Sequence, residues 1–187
     1  GRGVADGFPL PEAWNAAPNS GEVRGVRWRR QIPGLGHSSP VLWGQQIFVA
    51  TAISKQGSAP LQVGRSGAPT AADDHGEQSW AILCYRSDTG EELWRQTARK
   101  GVPRASRHAK ATHANTTLVT DGEHLVGFFG SEGLYCYDLS GKLLWQRDLG
   151  VINISKYGIG WGYASSPAIL QGRLVLVCDD PDQPFLV

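Results

Sequence analysis

Arginine, histidine and aromatic side chains are the groups in this chain whose types and spacing suit chemistry, and they gather in a few stretches. Residues 97–112 carry Arg99, Lys100, Arg104, Arg107, His108 and Lys110 without one Asp or Glu, and His113 follows directly. Guanidinium groups so placed match carboxylates, phosphate or an acidic partner surface; the competing reading is a solvated positive loop, or one that pairs internally. His37 and His113 each precede a strand-like run, where an imidazole titrates near neutral pH or donates to a ligand, unless it only bonds neighbouring backbone. Trp161 stands between Gly160 and Gly162, which let the backbone approach closely while the indole faces a ligand or packs a channel mouth; Tyr157 and Tyr163 extend that platform. The ligand-binding candidates are therefore His37, Arg104, Arg107, His108, His113, Tyr157, Trp161 and Tyr163. No catalytic constellation is expected within the chain. Two histidines also fall short of a metal site.

These residues must be held by something, and a repeated phrase says what. Leu83-Cys84-Tyr85-Arg86-Ser87-Asp88-Thr89-Gly90-Glu91-Glu92-Leu93-Trp94 returns as Tyr135-Cys136-Tyr137-Asp138-Leu139-Ser140-Gly141-Lys142-Leu143-Leu144-Trp145. The two Trp residues are 51 positions apart, and each stands four residues after its turn glycine. That period suits a small sheet repeated along the chain. Gly90 and Gly141 supply the positive φ of a tight turn, and Trp94 and Trp145 offer a large apolar surface, with an indole N–H, to the next sheet.

Each full unit reads as four short strands separated by Trp-Gly, Asp-Gly, Thr-Gly or Ser-Gly signals, which is the pattern of a propeller blade. The first blade spans 37–94 with an inserted loop at 51–79, the second spans 113–145, and an incomplete third spans 164–187. Residues 97–112 and 150–163 connect them. Residues 21–31, with Trp28 in Arg27-Trp28-Arg29, resemble the strands around Trp94 and Trp145 and are expected to be an outer strand that closes the ring. Residues 1–20, rich in Gly, Ala and Pro, read as an arm with Trp14 as its anchor. The fold class is thus all-β: a propeller of four-stranded antiparallel blades, present as a partial ring. At about 50 residues per blade, seven or eight blades need about 370 to 430 residues, so the chain is expected to be the N-terminal portion of a longer protein. The remaining blades, or additional chains, are the first partners it requires.

In such a blade the strand 1–2 and 3–4 turns lie on one side, and these turns are short here. The strand 2–3 and blade-to-blade connections lie on the other, and they hold the length and chemical variety, so binding is expected on that long-loop side. The insertion at 51–79 also carries Asp73, Asp74 and Glu77, an acidic run able to cover the basic segment, though its spacing is not that of a calcium-binding loop.

A net charge of +1 with 19% charged residues argues against nucleic acid as a partner, and no apolar span approaches the length of a transmembrane segment. Three cysteines form neither a metal set nor a redox pair, and Cys84 and Cys136 hold equivalent places in the repeat, which reads as buried small hydrophobes.

Ser38-Ser39-Pro40, Gly172-Arg173-Leu174-Val175-Leu176-Val177, Cys136-Tyr137-Asp138 and Gly-x-x-x-Trp together resemble the PQQ-like, quinoprotein dehydrogenase-type β-propeller repeat over residues 21–187. The resemblance implies a periplasmic or secreted protein, and a non-catalytic scaffold that binds a protein or small ligand through the long-loop side. The alternative it implies is a fragment of a PQQ-dependent alcohol or sugar dehydrogenase, with pyrroloquinoline quinone and calcium in the intact protein. No adjacent cysteine pair, catalytic Asp, or Asn and Glu calcium ligands match that enzyme pattern here, so no cofactor is assigned to this chain.

Overall fold

The computed structural model describes residues 11–17, 24–58, 60–62, 71–152, 163–179 and 184–187. Two four-stranded antiparallel sheets dominate. β1 (Val41–Trp43), β2 (Gln46–Ser54), β3 (Gln78–Arg86) and β4 (Glu92–Gly101) form the first in chain order. β5 (Val119–Thr120), β6 (His124–Phe128), β7 (Leu134–Asp138) and β8 (Leu143–Arg147) form the second in the same order. β9 (Ala168–Leu170) pairs with β10 (Arg173–Val175), and β11 (Val177–Cys178) with β12 (Phe185–Leu186), with only Leu176 between β10 and β11. These are propeller blades in an unclosed ring, the fold expected from the repeat.

Alternation along the strands decides which neighbour each blade meets. Phe48, Ala50 and Ala52 of β2, with Trp80, Ile82 and Cys84 of β3, pack on Leu118, Leu125, Phe129, Tyr135 and Tyr137 of the second blade. Val126, Phe128, Leu134 and Cys136 point to the opposite face and meet Ile152, Tyr163, Leu176 and Cys178. The central strands of the second blade are thus apolar on both faces, because that blade is sandwiched between the first and the third unit.

The inner edges are tied by hydroxyl groups. Ser38 Oγ donates to Ala50 O of its own blade, and the equivalent Thr116 Oγ1 donates to Phe128 O. The following residue reaches across: Ser39 N donates to Thr117 Oγ1 at 3.0 Å, and Thr117 N donates to Ser166 Oγ at 2.9 Å. The small polar residues before each inner strand therefore link three successive blades.

At the outer edge the Trp and the turn glycine prove to be partners. Trp94 lies over Gly141 of the next blade, where an added Cβ would sit 2.9 Å from Trp94 Cδ2, and its indole N–H donates to Leu139 O at 3.1 Å. Trp28 does the same one blade earlier, stacked on Gly90 with its N–H on Ser87 O at 2.9 Å. Trp43 covers Gly122 on the short-turn side, a contact the repeated phrase does not announce. Trp145 packs against the core shared with the third unit.

Some boundaries differ from expectation. The described part of the 21–31 segment, residues 24–31, forms no strand: among the described residues no strand pairs with it, as expected of an outer strand whose blade lies outside this chain. β2 and β3 extend through both flanks of the inserted loop, reducing it to 55–77, and β4 continues to Gly101 through residues read as connection. Trp14 is no anchor, being 72% exposed.

Candidate functional site

Beyond β4 the basic segment leaves the sheet and folds inward. Arg107, His108 and Ala109 are buried, and the chain returns to the second blade through His113 and Ala114. A one-turn 3-10 helix, Gly130–Glu132, caps the link between β6 and β7, and Val151, Ile152 and Tyr163 arrive from the next inter-blade connection. Between these connections lies a cavity of about 300 Å³, bordered by Arg104, Arg107, His113, Asn115, Phe128 and Glu132 among others. Most of its walls are strand 2–3 and blade-to-blade connections, with Phe128 supplied by the end of β6, so it lies on the long-loop side. Its size is at the small end of ligand pockets.

The arginines around it are paired. Arg99 Nε donates to Glu132 Oε2, and Glu132 Oε1 accepts from the backbone N of Arg104 at 2.7 Å. The Arg104 guanidinium is 2.8 Å from Asp148 Oδ1 and holds that carboxyl below the usual range. Arg107 Nε donates to Asp74 Oδ2 at 2.6 Å and its Nη1 to Ala111 O at 2.7 Å; the Arg107 and Asp74 side chains are 2% and 5% exposed. Lys100 meets Glu77 at 3.4 Å. Two carboxylates of the inserted loop, Asp74 and Glu77, thus meet the basic segment at Arg107 and Lys100, while Arg99 and Arg104 pair outside that loop.

His113 is the atypical member. Its side chain is 9% exposed and its Nε2 lies 3.5 Å from Asp74 Oδ1 without making a hydrogen bond. Burial pushes its pKa below the ordinary histidine value, against the pull of Asp74, so the ring is neutral at neutral pH. Its carbonyl accepts from Trp80 Nε1 at 3.1 Å, and the two rings meet edge to face.

Of the residues singled out in the sequence, Arg104, Arg107, His113 and Tyr163 border the one cavity. His108 is buried in the same loop but its Nδ1 accepts from Lys110 N, so it serves the local turn. His37 is exposed, and its backbone N donates to Ala114 O. Tyr157 and Trp161 lie outside the described residues. Glu132, Asn115 and Phe128 were not singled out. Nothing in their spacing marks them, because Glu132 meets Arg99 and Arg104 only when two blades pack, and Asn115 and Phe128 border the cavity only once the connections fold over it. Asn115 Oδ1 accepts from both Thr112 N and Thr112 Oγ1, which sets the turn entering the second blade.

A second cavity of about 480 Å³ lies between the 28–36 segment and the outer face of the first blade, against Leu42, Ile47, Val49 and Tyr85. Its lining is mainly apolar, as suits a face awaiting another sheet.

These residues do not fit a quinone held over calcium. The long-loop cavity's carboxylate, Glu132, has both oxygens taken by Arg99 and Arg104, and among the described residues no three His, Cys, Asp or Glu side chains converge. Cys84, Cys136 and Cys178 are buried in separate blades, and burial pushes the first two thiols up to about 11.

A family model described as outer membrane protein assembly factor BamB matches residues 78–183, more than half of the chain. A comparison with curated proteins found no match.

Proposed function

Because this chain belongs to the PQQ-like β-propeller repeat family, represented by the outer membrane protein assembly factor BamB, we propose that it is a non-catalytic scaffold. It binds a protein or small ligand through its long-loop face. The carrying observation is the cavity of about 300 Å³ in which connections from successive blades converge. Varied loops on a rigid sheet are where propellers can change specificity without changing their core. The pairing of Arg99, Arg104 and Arg107 keeps the site nearly neutral, so shape and hydrogen bonding outweigh bulk charge in selecting the ligand. Membership of this family supports a periplasmic or outer-membrane-associated setting. Neighbouring blades, or additional chains, cover the open faces of the first and third units.

Photo-crosslinking in the native host tests the reading. A photoreactive residue at Ser106, beside the cavity, is expected to capture a discrete partner, while one at Gln45, in a short turn, captures none. If the ligand is small, native mass spectrometry of protein purified from that host shows added mass that unfolding releases. No adduct at Ser106 together with no added mass, or equal capture at both positions, sinks the proposal.

A further inference from the structure

The inserted loop of the first blade does more than cover charge. After the undescribed residues 63–70, Ala71 bridges to His108, Ala72 N donates to Arg107 O at 3.0 Å, and Asp74 turns inward onto Arg107. Residues 71–77 thereby lie along the same loop, 104–113, that borders the cavity. Among the described residues this stretch is held by its bridge to residues 107 and 108, by Lys55 N donating to Glu77 O at 3.1 Å where it joins the sheet, and by one buried carboxylate; Glu77 to Lys100 is a solvent-exposed pair that contributes little.

The latch has a built-in mismatch. One carboxylate, Asp74, faces two groups able to carry positive charge, Arg107 at 2.6 Å and His113 at 3.5 Å. It satisfies the first and makes no hydrogen bond to the second, whose Nε2 is inaccessible to water. We propose that residues 71–77 form an acid-released strap on the cavity loop, latched by Asp74 onto Arg107 and opened when His113 takes up a proton.

The groups facing the latch set the direction. Asp74 comes from the strap and Arg107 from the loop. Trp80 of β3 packs against the imidazole and carries the Arg99 guanidinium over its ring, and Arg99 is itself held by Glu132. A proton on His113 places a second cation near Arg107 in a buried site, and burial is the largest force opposing it. The closed strap therefore binds that proton less well than an open, solvated one. By linkage the closed form is fully favoured above the ordinary histidine pKa of about 6.5 and loses ground as pH falls from there toward the depressed value. Release frees Arg107 and loosens one wall of the cavity. That consequence rests on the loop-face reading; the strap itself does not.

Electron-spin distance measurement tests the strap in the full chain. Nitroxides are placed at exposed His75→Cys and Val102→Cys, the three native thiols being buried. At about pH 7.5 a single short separation is expected, and by about pH 5.5 a longer, broader population that returns reversibly on neutralisation. His113→Gln, which cannot take the proton, is expected to keep the short distance at both pH values. Asp74→Asn is expected to show the long population already at neutral pH. An unchanged distance in the wild-type pair between the two pH values overturns the proposal even if a variant fails to fold, as does the same pH response in His113→Gln. A moving strap with no capture at Ser106 leaves the strap standing and removes only the binding role of the cavity.

Discussion

Gly141 faces two demands at once. Its φ of +89° lies in the left-handed region, and the ring of Trp94 occupies the space a side chain would need. Adding one methyl group therefore costs about 1–2 kcal/mol for the backbone and a further amount for pushing the indole off its seat and its bond to Leu139 O. Gly141→Ala is expected to lose about 2–3 kcal/mol in urea unfolding, but only about 1 kcal/mol when Trp94 is already Ala, because the steric part then vanishes. Equal losses in both backgrounds would show that the ring and the glycine are not coupled. The Gly-x-x-x-Trp spacing was legible because turn and strand are local features. Docking of Trp94 on the next blade was legible too, but that its seat there is Gly141 was not, since the spacing names no partner residue. Asp74 sits between these cases: an acidic run beside an all-basic segment suggested attraction, but no spacing rule selects Arg107 as its buried partner.

Strands are held in order by apolar alternation, whereas their connections are held by single polar ties. β4 and the loop after it are fixed to the second blade through Glu132, which takes Arg99 on one oxygen and the Arg104 backbone on the other. Its side chain is 5% exposed, so weakening it leaves the partly exposed Arg99 guanidinium and the Arg104 N–H with a poorer acceptor. Glu132→Gln is expected to lower stability by about 1–3 kcal/mol and to raise hydrogen exchange in residues 99–107 more than in β2 or β3. Uniform exchange across the first blade would mean that Glu132 is not a local tie. The four-strand order of each blade was readable from Asp-Gly and Ser-Gly turns between alternating runs. The roles of Ser39, Thr117 and Ser166 were not, although their places before the inner strands were noted, because a hydroxyl in a small-polar segment does not reveal which blade it will bond.

A row of blades buries what lies between them and leaves its two end faces apolar. Leu42, 61% exposed, stands over the larger cavity at one end, while Leu170 and Leu186, 74% and 68% exposed, lie in the third unit at the other. Apolar surface of this extent calls for a cover, and a net charge of +1 supplies little repulsion to keep copies apart. The two faces differ, so contact between copies is head to tail, which closes into a ring or continues into open oligomers. Sedimentation velocity of the 187-residue chain is expected to show concentration-dependent assembly, shifted toward monomer by Leu42→Lys and equally by Leu186→Lys, since each mutation places a charge on one half of the same contact. Monomer at every concentration would mean that neither end face seeks a blade. A response to only one of the two mutations would replace the head-to-tail contact by a symmetric one between like faces.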